Sequence, residues 1–182
     1  GSPGEVLIGT TNTGVPDLKV DTFSQLGNIT LSKVAILNAS GDPGGTVQIR
    51  AGSLAMDRAF IATNTIGNVN GVPVAVDLNV AGRVLIQNGL GINSVAMAGG
   101  RSGDIRINSG TLDVTSAAMI RSEANGGGRG GDIRINSGTL NVTSTAKIFS
   151  STTGNGNAGD VSIKASAIPL ADPLSQIGSM VL

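Results

Sequence analysis

The sequence predicts an all-β fold, a right-handed single-stranded parallel β-helix (β-solenoid) of about seven coils of 18–29 residues, with three short strands per full coil. Three observations favour this fold class. Nearly identical blocks of sequence recur at a fixed interval, apolar and polar residues alternate within each block, and aromatic residues make up only 2% of the 182 residues. A narrow interior filled by aliphatic side chains suits a solenoid, whereas a wide globular core normally uses large aromatic side chains.

The repeat is clearest in the second half of the chain. Residues 103–116 (GDIRINSGTLDVTS) return as residues 131–144 (GDIRINSGTLNVTS) at an offset of 28, and residues 159–163 (GDVSI) open a further copy at the same offset. Including looser copies upstream, the first strands of the coils are predicted to start near Val6, Ile29, Val47, Val76, Ile105, Ile133 and Val161. We expect residues 1–166 to form the β-helix and residues 167–182 to form an irregular C-terminal tail or partial cap.

Within one repeat, apolar residues alternate with polar ones at a period of two, which is strand patterning and not helical patterning. The predicted inward positions of three successive runs are Ile105 and Ile107, then Leu112 and Val114, then Ala118 and Ile120. A Ser-Gly turn at 109–110 separates the first two runs, and a Gly/Asn-rich loop at 125–131 closes the repeat. Glycine supplies the positive-φ conformations that such loops use.

Two arrangements use strands of this length: stacked coils with parallel strands, or an antiparallel sandwich. The near identity of successive copies favours stacking, because stacking places equivalent residues about 4.8 Å apart in ladders. Ile105 would then lie on Ile133, and Asn108 on Asn136, where stacked amides can hydrogen-bond along the axis. Seven rungs would form a column roughly 34 Å tall.

The composition argues against several classes of function. Twelve basic residues balance twelve acidic ones, and only three phenylalanines are present, so the basic patches and stacking platforms of nucleic-acid-binding proteins are not indicated. The chain contains no His and no Cys, which excludes a Ser-His pair, a nucleophilic cysteine and the usual zinc ligands. We therefore predict no catalytic residues, no enzymatic activity and no cofactor.

Three groups of stacked polar residues are candidate sites. Asp104, Asp132 and Asp160 would form an acidic column, which can either bind calcium or hydrogen-bond the glycine-rich turns with Arg101 and Arg129 offsetting its charge. The ligand-binding residues are otherwise unknown.

The other two groups are basic and hydroxylated. Arg106 would stack on Arg134, and the pair can either grip a sulfated or acidic glycan or form a solvated face. The threonine pairs resemble the flat arrays of ice-binding faces, but two rungs are few for that role; they are Thr111 with Thr139 and Thr115 with Thr143.

Two longer stretches carry a resemblance to a known family. Residues 130–161, from GGDIRINSGTLNVTS to AKIFSSTTGNGNAGDV, resemble the repeats of filamentous-haemagglutinin-like exoproteins, and LGNITLS (26–32) and GDPGGTVQIR (41–50) are similar to the same family. The likeness runs from about residue 4 to residue 164. It implies a β-helical repeat region, export by two-partner secretion through a dedicated outer-membrane transporter, and a location that is secreted, at the outer-membrane surface or extracellular.

The function predicted from these features is that of a structural β-helical shaft in a secreted bacterial cell-surface protein, supporting adhesion, biofilm or filament formation. The alternative is a carbohydrate-binding or polysaccharide-cleaving β-helix. A third possibility is self-assembly through exposed end coils. The expected partners are the secretion transporter, adjacent β-helical repeats or like subunits, and surface glycans, with no nucleic acid.

Overall fold

The computed structural model describes residues 5–9, 20, 23–170 and 172–181, and of residues 5–9 it describes the backbone alone. The predicted all-β solenoid is confirmed: the described residues form strands and no helix, and parallel strands stack in about five turns. Parts of the predicted repeat region (1–4, 10–19 and 21–22) and of the predicted tail (171 and 182) lie outside the described residues.

The strands form two sheets that face each other across the core, and all of their pairings are parallel except that of β1. The strands in chain order are β1 (Glu5–Gly9), β2 (Asn28–Leu31), β3 (Ile36–Asn38), β4 (Thr46–Ala51), β5 (Ser53–Asp57), β6 (Phe60–Ala62), β7 (Val74–Gln87), β8 (Gly91–Ala96), β9 (Asp104–Val114), β10 (Met119–Asn125), β11 (Ile133–Val142), β12 (Lys147–Thr153), β13 (Val161–Ala167) and β14 (Gln176–Val181). The first sheet runs β1-β4-β7-β9-β11-β13 with β2 and β5 alongside, and the second runs β3-β6-β8-β10-β12-β14.

The predicted register is confirmed from Val47 onwards. Val47 pairs with Val76, Val76 with Ile105, Ile105 with Ile133, and Ile133 with Val161, each in parallel strands. Identical residues therefore stack from coil to coil across β9 and β11, as the near-identical repeats require. Like aliphatic side chains in register fill the same cross-section in every coil, so the interior keeps a constant width.

Two of the predicted coil starts are wrong. β1 runs antiparallel to β4, with Val6 opposite Ile49, and β2 pairs with β5, so that Ile29 lies beside Leu54 and not in the column of Val47. The count is therefore about five turns and not seven. The physical reason is that period-two alternation is the same in parallel and antiparallel strands, and it does not say which strand of a coil a segment forms.

The strand count per coil and the C-terminal segment also differ from the prediction. β7, β9 and β11 run unbroken through the position predicted as a Ser-Gly turn, so these coils contain one long and one shorter strand. Among the residues that the structure describes, only the coil of β4, β5 and β6 has three separate strands. The segment predicted as irregular contains β14, which pairs in parallel with β12 because Ile177 continues the column of Ile148.

The core is a stack of aliphatic ladders between the two sheets. Ile105 and Ile133 are completely buried in the first sheet, as are Ile120 and Ile148 in the second. Partly buried side chains pack on this core at both ends, among them Ile29, Leu31, Val161, Ile163 and Ile177. Full burial of an aliphatic side chain in these ladders contributes about 1.5–3 kcal/mol on transfer from water. A coil obtains this stabilisation only when neighbouring coils cover its side chains.

Candidate functional site

A column of glycines bends the first sheet where the two halves of its long strands meet. Gly82, Gly110 and Gly138 occupy this position in β7, β9 and β11, and Gly52 separates β4 from β5. A Cβ on Gly138 would lie 2.6 Å from the carbonyl oxygen of Gly110, and one on Gly82 would lie 2.8 Å from that of Gly52. Any side chain here would collide with the backbone of the coil below, so the sequence keeps this line of the outer surface bare.

An open groove of about 520 Å³ follows this line along the stacking axis. One side of the groove carries one polar residue from each of four successive strands, namely Asn79, Asn108, Asn136 and Lys164. All four are exposed. Ser109 donates a hydrogen bond to Ser137 at 3.2 Å between their Oγ atoms, and Ser137 donates to the carbonyl of Thr139 at 2.7 Å, so these two hydroxyls are already engaged.

The predicted asparagine ladder is confirmed in its register and wrong in its bonding. Asn79, Asn108 and Asn136 stand side by side on β7, β9 and β11. Within the described part of the chain, none of the three side-chain amides makes a hydrogen bond. Each amide therefore presents a free carbonyl acceptor and a free NH₂ donor to the groove.

A second depression of about 460 Å³ adjoins the first and shares Asn108, Asn136 and Lys164 with it. Its additional lining includes Arg106, Arg134 and Ser162. The predicted stacking of Arg106 on Arg134 is confirmed, with Ser162 next in the column. The two depressions thus form one continuous polar surface across β7, β9, β11 and β13, which we call the amide groove.

The two stacked arginines differ in their surroundings. The Arg134 guanidinium lies 2.8 Å from the Asp104 carboxylate and 2.7 Å from that of Asp132. The hydrogen bond to Asp104 raises the pKa of Arg134 further above its ordinary value. Arg106 and Lys164 form no ion pair with any residue that the structure describes. The amide groove therefore has two positive charges without an acidic partner among the described residues, Arg106 on β9 and Lys164 on β13.

The column of Asp104, Asp132 and Asp160 forms as predicted, and its carboxylates bond along the axis. The N–H of Asp132 donates to Asp104 Oδ1 at 3.0 Å, and the N–H of Asp160 donates to Asp132 Oδ1 at 3.0 Å. Arg129 lies 2.8 Å from Asp132, and Arg101 pairs with Asp104. This is the hydrogen-bonded, arginine-compensated alternative, except that the carboxylates of Asp104 and Asp132 accept from the next coil and not from their own turns.

The environment of Asp132 favours its charged form. Burial raises the pKa of this carboxyl, but the N–H of Asp160 and the guanidinium groups of Arg129 and Arg134 outweigh burial and hold the pKa below its ordinary value. No cluster of three or more His, Cys, Asp or Glu side chains suited to a metal occurs among the described residues. Calcium binding by the aspartate column stays a prediction.

A buried serine column is the main feature that the sequence analysis missed. Ser94, Ser122 and Ser150 are buried and stack in register on the inner face of the second sheet, and Ser179 continues this column on β14, where it is exposed. Ser122 Oγ accepts from the N–H of Gly131 at 3.1 Å and donates to the carbonyl of Gly103 at 3.0 Å. Ser150 repeats this arrangement with Gly159 at 2.8 Å and Gly131 at 2.9 Å.

Ser122 and Ser150 therefore each tie the glycine-rich loop of their own coil to the loop of the preceding coil. These loops form the third side of the solenoid, and the described residues of this side belong to none of the strands β1–β14. The recurrence of serine at 94, 122 and 150, at intervals of 28, was the sequence signal that could have revealed the column.

The threonine pairs form short ladders on the outer surface of the first sheet. Thr143 donates to Thr115 at 2.9 Å between their hydroxyls, and Thr111 lies beside Thr139. On the preceding strand, β7, the residue beside Thr111 is Arg83, whose Nε lies 2.5 Å from Oδ2 of Asp113. The threonine surface is therefore two rungs deep and is interrupted by an ion pair.

The chain was compared with known families, proteins and structures. No protein-family model, no curated protein and no solved structure matches it. Among the residues described, no helix has the length and hydrophobicity needed to cross a bilayer. The relation to filamentous-haemagglutinin-like exoproteins therefore stays a prediction from the repeats.

Proposed function

We propose that this chain is a structural shaft segment of a secreted bacterial surface protein, in which stacked coils hold other parts of the protein away from the cell. The observation that carries the proposal is the unbroken register of the coils from Val47 to Val161. Each coil contacts only its neighbours, so that adding a coil adds about 4.8 Å of length without changing the cross-section.

The side-chain interactions support a role in which the segment carries force along the solenoid axis. Aliphatic ladders and the serine column cross the coil boundaries from β7 to β13, and the aspartate column crosses the two boundaries between β9, β11 and β13. A scaffold that carries force along its axis benefits from equivalent boundaries, because none of them is then much weaker than the rest. The surface location itself rests on the resemblance of the repeats to exported proteins.

The location is tested on the native protein in its source bacterium. Antibodies against this segment are expected to label intact, unpermeabilised cells, and external protease is expected to remove the label while a cytoplasmic protein stays intact. Labelling that needs cell lysis would contradict surface display.

The shaft role is tested separately by changing the length of the segment in the genome. Duplicating residues 104–131 twice adds two coils and is expected to move a labelled distal part outwards by roughly 10 Å, measured by energy transfer to a membrane dye. An unchanged distance with a folded, displayed protein would contradict the shaft.

A further inference from the structure

We propose that the amide groove binds an acidic polysaccharide, with the sugar chain lying along the solenoid axis. This inference goes beyond the shaft function and does not depend on it. The groove crosses β7, β9, β11 and β13, and it places an asparagine on each of the first three strands and Lys164 on the fourth. A groove with this periodic lining fits an extended polymer better than a compact small molecule.

The free amides are the first chemical argument. Asn79, Asn108 and Asn136 each offer a donor and an acceptor that no protein group uses among the described residues, and successive amides are about one rung of 4.8 Å apart. Sugar hydroxyls need donors and acceptors in this mixture, and a pyranose chain repeats on a comparable scale. The bare glycine line of Gly82, Gly110 and Gly138 lets such a chain approach the backbone.

The charge is the second argument, and it selects an acidic sugar. The carboxylates nearest to the groove are already matched: Asp104 and Asp132 bind Arg134, and Asp77 pairs with Arg50. Arg106 on β9 and Lys164 on β13 have no carboxylate partner among the described residues, and these two strands are two rungs apart. A carboxylate or sulfate on the ligand would form charge-assisted hydrogen bonds with them.

The missing aromatic surface is the third argument. Neutral polysaccharides are usually held by stacking on aromatic rings, and single-stranded nucleic acids need the same platforms. No aromatic side chain lines the amide groove. Affinity must therefore come from charge and hydrogen bonds, which favours an acidic polysaccharide over either of those polymers.

The test measures binding of the whole chain to polygalacturonate and to dextran sulfate by calorimetry, with neutral dextran and poly(dT) alongside. The wild type is expected to bind one or both acidic polysaccharides, and the two probes distinguish a carboxylated ligand from a sulfated one. The double variant Arg106→Gln with Lys164→Gln is expected to bind at least about tenfold more weakly, because two charged hydrogen bonds are lost.

The matched control is Lys33→Gln with Lys147→Gln, which removes the same charge away from the groove and is expected to change affinity less than about twofold. A second variant, Asn108→Ala with Asn136→Ala, keeps the charge and is expected to weaken binding while leaving the unfolding midpoint unchanged. Equal weakening by the control pair, or equally tight binding of poly(dT), would show attraction to any polyanion and overturn the proposal. Absence of binding to both acidic polysaccharides would also overturn it.

Discussion

Ser122 makes three hydrogen bonds inside the solenoid, to the carbonyl of Gly103, the N–H of Gly131 and the hydroxyl of Ser102. Its side chain is completely buried. A serine at an inward strand position looks like a defect in an aliphatic core. Here the hydroxyl satisfies backbone groups of loops that have no strand partners, and this requirement explains why the interior is polar at this column.

Replacing Ser122 with Ala should destabilise the protein by about 1–3 kcal/mol, because the buried carbonyl of Gly103 loses the serine hydroxyl and the N–H of Gly131 keeps only its hydrogen bond to Ser102. Urea unfolding followed by circular dichroism measures the change. Ser162→Ala is the control, since Ser162 is exposed on β13, and it should change the free energy of unfolding by less than about 0.5 kcal/mol. Equal effects of the two substitutions would contradict a clamping role for the serine column.

The pKa of Asp132 gives a prediction about acid stability. Because this pKa is lower in the folded state than its ordinary value, the stabilisation is fully present above the ordinary value of about 3.9 and is lost as pH falls through the folded pKa. Asp132→Asn should cost about 1–3 kcal/mol at pH 7, since it loses the ion pairs with Arg129 and Arg134.

Urea midpoints measured from pH 7 down to pH 3 test this directly. The variant should show a shallower loss of stability with acid than the wild type, so that the two curves converge at low pH. Parallel curves would mean that Asp132 has no part in the acid response.

At the scale of the strand, the bend at the glycine column decides the shape of the outer surface. Gly138→Ala should destabilise the protein by about 1–3 kcal/mol, because its Cβ would lie 2.6 Å from the carbonyl oxygen of Gly110 and the backbone must shift. Gly178→Ala on β14 is the control: a Cβ there has no atom within 4 Å, and stability should change by less than about 0.5 kcal/mol.

Thermal unfolding monitored by circular dichroism separates the two glycine variants. If Gly138→Ala were as stable as Gly178→Ala, the contact between neighbouring coils at the bend would be looser than the structure shows.

Strands were predictable from sequence where the copies are nearly identical, and less so elsewhere. The match of residues 103–116 to 131–144 fixed the pairing of Ile105 with Ile133. Ile29 lies in a looser copy, where alternation marks a strand but not its column. The direction of β1 was out of reach, because strand direction depends on the hydrogen-bonded partner and not on the pattern of side chains.

The candidate site was predictable only in part. The stacking of Arg106 on Arg134 follows from the repeat, but the repeat does not say that Arg134 is held by two carboxylates while Arg106 is not. That difference arises because Asp104 is preceded in its column by Val74 and followed by Asp132, so that charges pair diagonally across rungs. Diagonal contacts need three dimensions, and a one-dimensional repeat does not specify them.

At the scale of the whole molecule, a solenoid can lose a coil and still fold. Deleting residues 104–131 joins Gly103 to Asp132 and should leave a folded protein, because β7 then meets β11 in the register that it now has with β9. Circular dichroism should keep its β-sheet shape, and urea unfolding should stay cooperative with a smaller denaturant dependence, since less surface is exposed on unfolding.

A matched deletion of residues 112–139 removes the same number of residues and also joins equivalent positions, so it should behave alike. Deleting residues 104–124 removes part of a coil and should abolish cooperative unfolding. If the full-coil deletions also failed to fold, the boundaries between coils would not be interchangeable.

The serine column also gives the stack a direction. Ser150 donates to the carbonyl of Gly131 in the coil before it, while it accepts from Gly159, which comes nine residues later in its own coil. A folded coil thus already presents the Gly131 carbonyl that Ser150 of the next coil needs. The second partner of Ser150, the N–H of Gly159, is in place only after the loop of its own coil has formed. A chain that emerges amino end first would therefore find a carbonyl acceptor already in place for each of these serines.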